Sequence, residues 1–235
     1  MIRIKPVHVR FHQKSELGRA LSYWRDLICS VTSRPTHCQE LICGEADYIG
    51  LLDASGVDGA GGTLHGGASE LKPTVWRVEW PPDIKSRLLT EHNPSGDITN
   101  SDLEMVAFLL GWLVLEGLVV CLKLNHIGIG SDNTPTVSWT TKFASRSSKV
   151  SGCLVRVLSL CIRECKTAPL SLHHIAGIKN LLGEVPSRLF GYKKDWHFTC
   201  GKQFLTFFNN SFPLPKQQCW RICQLSQKTV FSVLT

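Results

Sequence analysis

Four carboxylates in four separate segments have the types and the spacing of ligands for divalent cations. Asp53 and Asp132 each end a short apolar run, "YIGLLD" and "IGIGSD", and each is followed by turn-forming residues. Glu104 lies in the first turn of a long apolar helix, and Glu184 lies in a predicted short helix. A carboxylate at the end of a buried strand is costly unless it is paired, hydrogen-bonded or bound to a metal. Because adjacent strand ends form a crevice at one edge of a sheet, we expect the four acids to converge there.

Clustered carboxylates of this kind predict metal-assisted phosphoryl chemistry. They repel one another unless cations neutralise them. Hard oxygen ligands favour Mg²⁺ or Mn²⁺ over softer metals. Two such ions about 3.5–4 Å apart suit an in-line displacement at phosphorus, in which one activates water and the other stabilises the leaving oxygen. The acids therefore predict a two-metal phosphodiester hydrolase.

The elements that must position these acids alternate along the chain in an informative order. Three strand-like segments joined by short connections begin at residue 47 and predict an antiparallel meander. A long helix, a strand, two helices, a strand and a short helix follow, which gives the order β-β-β-α-β-α-α-β-α. A meander followed by βαβ units predicts a mixed sheet with helices on its faces. The fold class predicted is therefore α/β.

Four sequence blocks in this region resemble the ribonuclease H domain linked to reverse transcriptases of retroelements. They are "YIGLLDASGVDGAGG", "SDLEMVAF", "SDNTPTVSW" and "HHIAGIKNLLGEVPSR", in that order, within residues 45–190. The resemblance implies a five-stranded mixed sheet flanked by helices. It implies Mg²⁺- or Mn²⁺-dependent cleavage of RNA in RNA–DNA hybrids, with two ions. Carried over by position, the catalytic and metal-binding residues are Asp53, Glu104, Asp132 and Glu184.

One of the four acids departs from the family pattern. The last acid is usually Asp, in a pattern like N-x-x-A-D-x-x-S-R, whereas "NLLGEVPSR" has Glu184 there. Glutamate moves the oxygens by about one methylene, and a displacement near 1 Å costs about 100-fold in rate. Reduced or lost activity is therefore expected. The alternatives are a catalytically decayed module that binds hybrid without cutting it, a nuclease of the same superfamily that acts on DNA, and an unrelated α/β interaction protein.

Each acid also has a purely structural interpretation. Asp53 would cap the glycine-rich turn that follows it. Glu104 would complete a capping box that begins at Ser101. Asp132 would belong to an ordinary strand-to-helix turn, and Glu184 would lie on a solvated helix face. These interpretations stay open at the level of sequence.

Positive charge is concentrated in the second half of the chain. Residues 1–140 hold 12 Lys and Arg against 16 Asp and Glu, whereas residues 141–235 hold 14 against 3. A basic half predicts a polyanionic partner, and a merely solvated basic surface is the alternative. Lys142, Arg146 and Lys149 follow the Asp132 turn and are candidate contacts for nucleic-acid phosphates; a solvated helix face is again the alternative.

The sequence predicts a division of the chain into three segments. Residues 1–44 are expected to form a helical connector or extension, and residues 45–190 are expected to form the ribonuclease H-like domain. Residues 191–235 are expected to form a C-terminal extension of unassigned role. The stretch "RPTHCQEL" looks like the connector upstream of such domains, so a reverse transcriptase domain is an expected neighbour in a retroelement polyprotein.

The expected setting is intracellular, in the cytoplasm or nucleus. Ten cysteines without a C-x-x-C pair favour free thiols in a reducing compartment. No apolar run reaches the length of about 20 residues that a membrane span needs, so no membrane association is expected.

Overall fold

A computed structural model describes residues 14–33, 45–66, 71–123, 125–167, 170–188 and 201–234. The chain divides into two compact units, residues 1–38 and 39–235. In the first unit, α1 spans Glu16–Thr32, and the Ser15 hydroxyl caps it by accepting a hydrogen bond from the backbone N–H of Gly18. The assignment of residues 1–44 as a helical connector or extension stays a prediction.

The second unit is built on a six-stranded mixed sheet. Its strands are β1 (Tyr48–Ala54), β2 (Gly59–Gly66), β3 (Thr74–Glu79), β4 (Ile127–Ser131), β5 (Ser171–His174) and β6 (Arg221–Gln224). The order across the sheet is β5-β4-β1-β2-β3-β6. β1, β2 and β3 form the predicted antiparallel meander, whereas β4 pairs in parallel with β1 and with β5. The predicted α/β fold class is confirmed, and β6, parallel to β3, is a strand that the sequence did not predict.

In the described part of this unit, seven α-helices accompany the sheet. They are α2 (Pro82–Lys85), α3 (Asn100–Leu118), α4 (Thr134–Lys142), α5 (Lys149–Cys165), α6 (Leu181–Arg188), α7 (Gly201–Ser211) and α8 (Gln227–Leu234). In the described part of the chain, no helix is both long and apolar enough to cross a membrane.

The main core lies between the sheet and α3. This helix is apolar almost all round, and most of its side chains are buried, as expected of a central helix. It approaches the sheet closely at Gly111, where an added Cβ would lie 2.8 Å from a methyl group of Leu52. Leu154 and Leu158 of α5 and Val230 of α8 complete the same core. The long apolar segment is thus the buried helix that the sequence predicted.

A second, smaller core covers the opposite face of the sheet. Successive strand side chains point to opposite faces, so Leu52 packs toward α3 whereas Asp53 points toward α6. On the α6 face, Val75 packs with Phe204 and Phe208 of α7 and with Trp220. The described residues after 200 therefore supply a strand and two helices to the unit that holds the sheet. The domain boundary at residue 190 stays a prediction.

Candidate metal centre

Three of the four predicted acids meet at the carboxyl edge of the sheet. Asp53 is the penultimate residue of β1, Asp132 directly follows β4, and Glu104 lies in the second turn of α3. One carboxylate oxygen from each lies within 4.8 Å of the others. β1 and β4 are parallel neighbours, paired up to Leu51 and Gly130, so their carboxyl ends open at the same edge. The topology predicted from sequence thus brings these three side chains together.

The start of α3 leaves Glu104 available to this cluster. The helix begins two residues earlier than the capping box considered from sequence: Thr99 is the N-cap, and Asp102 is its reciprocal partner. The Asp102 carboxylate accepts hydrogen bonds from the backbone N–H and the hydroxyl of Thr99, at 2.8 and 2.7 Å. The capping interpretation of Glu104 is therefore wrong. Its carboxylate instead lies beside those of Asp53 and Asp132.

The turn after β4 holds Asp132 by a different arrangement. Asn133, not Asp132, caps α4: its Oδ1 accepts a hydrogen bond of 2.9 Å from the backbone N–H of Thr136. The Asp132 carboxylate lies against Gly177, where an added Cβ would be 2.8 Å from Oδ2. The ring Nε2 of His174 lies 3.0 Å from the backbone oxygen of Asp132. The Asp132 carboxylate is thus left to the cluster rather than to a helix cap.

The electrostatics of the cluster indicate repulsion among like charges. Burial raises the pKa of Asp53, the Ser187 hydrogen bond opposes this, and the charge of Asp132 raises it further. Burial, together with the charges of Asp53 and Asp132, raises the pKa of Glu104 to about 9. Ionising all three acids at once is therefore unfavourable without a positive charge among them.

The donor set fits a small hard cation. It consists of carboxylate oxygens, which Mg²⁺ and Mn²⁺ prefer. Ligands on opposite sides of one Mg²⁺ are about 4.2 Å apart, twice the Mg–O bond length. One carboxylate oxygen from each of Asp53, Glu104 and Asp132 lies within 4.8 Å of the others. The three acids are therefore close enough to share one ion after at most small side-chain movements.

Helix α6 reaches the cluster by packing directly on the sheet backbone. A Cβ added at Gly61 of β2 would lie 2.5 Å from the backbone carbon and the Cβ of Pro186, so only glycine fits at this point. Asn180, just before α6, donates a hydrogen bond to the backbone oxygen of Leu52 at 2.9 Å. This docking brings the buried Ser187 hydroxyl into a short hydrogen bond with Asp53 Oδ2.

Glu184, the fourth predicted acid, lies outside the group of three. Its Oε1 is 3.3 Å from Nε of Arg188, four residues further along α6. The same Nε lies 3.9 Å from Oδ2 of Asp53, so Arg188 connects Glu184 to the cluster. Arg188 is a site residue that sequence reasoning missed, although it ends the quoted block "HHIAGIKNLLGEVPSR" and occupies the last position of the family pattern.

An open cavity of about 460 Å³ lies over the cluster. Its lining includes the three clustered acids, the backbone segment that follows β1, Asn100 at the start of α3, and Arg188.

The remaining predicted residues lie elsewhere. Lys142 ends α4, Arg146 follows it, and Lys149 begins α5; all three side chains are exposed and are not part of the cavity lining. His173 and His174 are both exposed at the sheet edge.

No protein-family model matches the chain, and no curated protein matches it. Two solved structures are similar in architecture. The N-terminal RNase H domain of Rv2228c from Mycobacterium tuberculosis, solved as a fusion with maltose-binding protein, has 10% identity and a TM-score of 0.42, covering 59% of this chain and 94% of that one. RNase H1 from the halophilic archaeon Halobacterium salinarum has 12% identity and a TM-score of 0.39, covering 59% and 91%. Likeness of this degree concerns the fold alone.

Proposed function

We propose that the protein is a metal-dependent endonuclease that hydrolyses the RNA strand of RNA–DNA hybrids. One observation carries the proposal: three carboxylates from β1, α3 and the end of β4 lie within 4.8 Å of one another beside an open cavity. The four sequence blocks that resemble reverse transcriptase-linked ribonuclease H support the choice of substrate. The products would be 3′-hydroxyl and 5′-phosphate ends.

In this proposal Asp53, Glu104 and Asp132 hold the divalent cation, Mg²⁺ or Mn²⁺. When bound, the metal lowers the pKa of a water nucleophile and stabilises the leaving oxygen. The chain supplies orientation: the Ser187 hydroxyl fixes Asp53, and the second turn of α3 carries Glu104 to the cluster. Glu104 gives up its proton when the cation binds, because its carboxyl is protonated at neutral pH when the charge of its neighbours is not compensated.

Glu184 remains the proposed ligand of a second ion. Its carboxylate is paired with Arg188 at 3.3 Å, so this role requires the ion pair to open. Lys142, Arg146 and Lys149 are proposed to contact the backbone of the hybrid outside the cavity.

A retroelement polyprotein with an upstream reverse transcriptase domain is the proposed context. An intracellular reducing compartment is the proposed setting, and the seven described cysteines, all of which are free thiols, support it.

Cleavage of a labelled RNA–DNA hybrid tests the proposal directly. Wild type is expected to cut the RNA strand with Mg²⁺ or Mn²⁺ and not with EDTA, whereas Asp53→Asn should bind hybrid and leave it intact. Duplex DNA and duplex RNA of the same sequence serve as substrate controls. Equal cutting of duplex DNA would reassign the substrate, and cutting by Asp53→Asn at the wild-type rate would contradict the site.

The second candidate function is a decayed module that binds hybrid without hydrolysis. The observation that favours it is the Glu184–Arg188 ion pair, which occupies the fourth acid. This candidate predicts hybrid binding by wild type with no cleavage under any divalent cation. Stabilisation of the fold by Mg²⁺ would then show whether the three clustered acids still bind metal.

A further inference from the structure

We propose that Arg188 binds a phosphate of the polynucleotide in the cavity, and that its ion pair with Glu184 is the contact that this phosphate replaces. The inference rests on the proposed function and names the residue that receives the substrate. It assigns Arg188 a binding role that the carboxylate cluster alone does not provide.

Charge in the cavity is the first reason. Among the described residues that line it, Asp53, Glu104 and Asp132 are acidic and Arg188 is the one cation. An incoming polyanion meets repulsion from the acids until a metal neutralises them. Once a metal has neutralised the acids, the guanidinium of Arg188 is the positive side chain of the cavity that can attract the entering phosphate.

The position of Arg188 is the second reason. Contacts on the sheet side hold α6 at both ends: Asn180 bonds to the Leu52 carbonyl just before the helix begins. In its last turn, Pro186 lies against Gly61 and Ser187 bonds to Asp53. Arg188 therefore leaves the helix at a defined point beside the metal cluster. A donor fixed in this way loses less conformational entropy on binding than one on a mobile loop.

The weakness of its present contact is the third reason. The Arg188 side chain is 47% exposed and that of Glu184 is 32% exposed, and Nε of Arg188 lies 3.3 Å from Oε1 of Glu184. A partly exposed i, i+4 ion pair of this kind contributes little to stability. A phosphate accepts two parallel hydrogen bonds from the planar guanidinium, which makes it the stronger partner.

The exchange has a consequence for Glu184. When Arg188 turns to the phosphate, the Glu184 carboxylate loses its cationic partner and becomes available to a metal ion. Binding of the polynucleotide and completion of the proposed second metal site are then coupled, so each favours the other.

Binding of a short labelled RNA–DNA hybrid, followed by fluorescence anisotropy over a series of salt concentrations, tests the inference. Ca²⁺ replaces Mg²⁺ so that binding is measured without turnover. Arg188→Ala should weaken binding roughly 10-fold, the loss of one charge-assisted contact, and lower the salt slope of log K by about 1. Arg188→Lys should keep the slope and recover only part of the affinity, because an ammonium lacks the guanidinium fork.

Arg87→Ala is the matched control. Arg87 is 42% exposed and paired with Asp97 at 2.7 Å, so its loss removes one equally exposed charge away from the cavity. We expect Arg87→Ala to weaken hybrid binding only slightly, as a change of one unit in net charge would. The Mg²⁺-induced rise in melting temperature, measured on all variants, should be retained in Arg188→Ala and Arg188→Lys.

The outcomes separate this inference from the proposed function. If wild type binds the hybrid, and Arg188→Ala binds it with the same affinity and the same salt slope of log K, this inference is overturned and the proposed function is not. Loss of the Mg²⁺-induced stabilisation in both Arg188 variants also overturns it, because Arg188 would then act through the metal site. Failure of wild type to bind hybrid overturns both proposals.

Discussion

Ser187 of α6 donates a hydrogen bond to Asp53 of β1, although 134 positions separate the two residues in the chain. Both groups are buried. Burial raises the pKa of Asp53, and the hydrogen bond from Ser187 is the interaction that lowers it most. The geometry of the carboxylate cluster therefore depends on how α6 docks on the sheet, as well as on the strand ends that carry the acids.

Replacing Ser187 with alanine should weaken metal binding. The hydroxyl favours the ionised form of Asp53, so its loss raises the pKa of Asp53 further and releases the carboxylate from its present orientation. Loss of an outer hydrogen-bond partner typically costs about 10–100-fold in metal affinity. Titration calorimetry with Mn²⁺ measures this. Ser86→Ala, which removes an exposed hydroxyl bonded to the Asp83 carbonyl, should leave the affinity unchanged.

Gly61→Ala should displace α6 and uncouple it from the site. The new Cβ would lie 2.5 Å from Pro186, and backbone atoms there cannot move away independently. Overpacking of this kind costs about 1–3 kcal/mol in the free energy of unfolding, and cleavage should fall with it. Gly117→Ala in α3 is the control, because nothing lies within 4 Å of its added Cβ. That variant should gain up to about 1 kcal/mol from helix propensity. Equal effects of the two substitutions on urea denaturation would contradict the packing argument.

The metal-free protein should lose stability as pH rises from about 4.5 toward about 9. In this window the folded state holds a proton on Glu104 that the unfolded state has released, because the pKa of Glu104 is raised to about 9 in the fold. The free energy of unfolding therefore decreases with increasing pH. Thermal melts in EDTA across this pH range measure the fall in melting temperature, and Glu104→Gln should make that fall smaller. Glu91→Gln, a substitution at an exposed position, should leave the pH dependence unchanged.

Phe208→Ala should destabilise the whole sheet-containing unit by about 3–5 kcal/mol, the usual cost of truncating a buried phenylalanine. Phe208 is fully buried against Val75 of β3, Phe204 and Trp220. A single denaturation transition shifted to lower urea is expected. Asn210→Ala, on an exposed position of the same helix, should shift it little. A separate early transition in Phe208→Ala would instead indicate that the C-terminal segment unfolds independently.

The sequence was most informative where local pattern and topology agree. Asp53 and Asp132 each end an apolar strand, and parallel pairing of β1 with β4 makes their proximity a geometric necessity. The capping boxes were ambiguous, because Thr99 to Asp102 and Ser101 to Glu104 have the same three-residue spacing. In the fold, Asp102 takes the capping role and Glu104 lies in the carboxylate cluster.

Other features depend on contacts that no local pattern contains. The ion pair of Arg188 with Glu184 has the ordinary i, i+4 spacing of a solvated helix, and only the docking of α6 directs it toward Asp53. The strand β6 has four residues with no clear alternation of polar and apolar side chains. It forms because β3 offers a free edge beside the α7 core, a partner distant in sequence.

The two edge strands of the sheet also limit association between molecules. Without β6, the six-residue strand β3 would be the edge strand and would expose its unpaired backbone groups to other chains. β6 covers those groups, and both outer strands, β5 and β6, have only four residues each. Such short borders offer few backbone groups for intermolecular strand pairing, so the sheet resists growth into aggregates from either side.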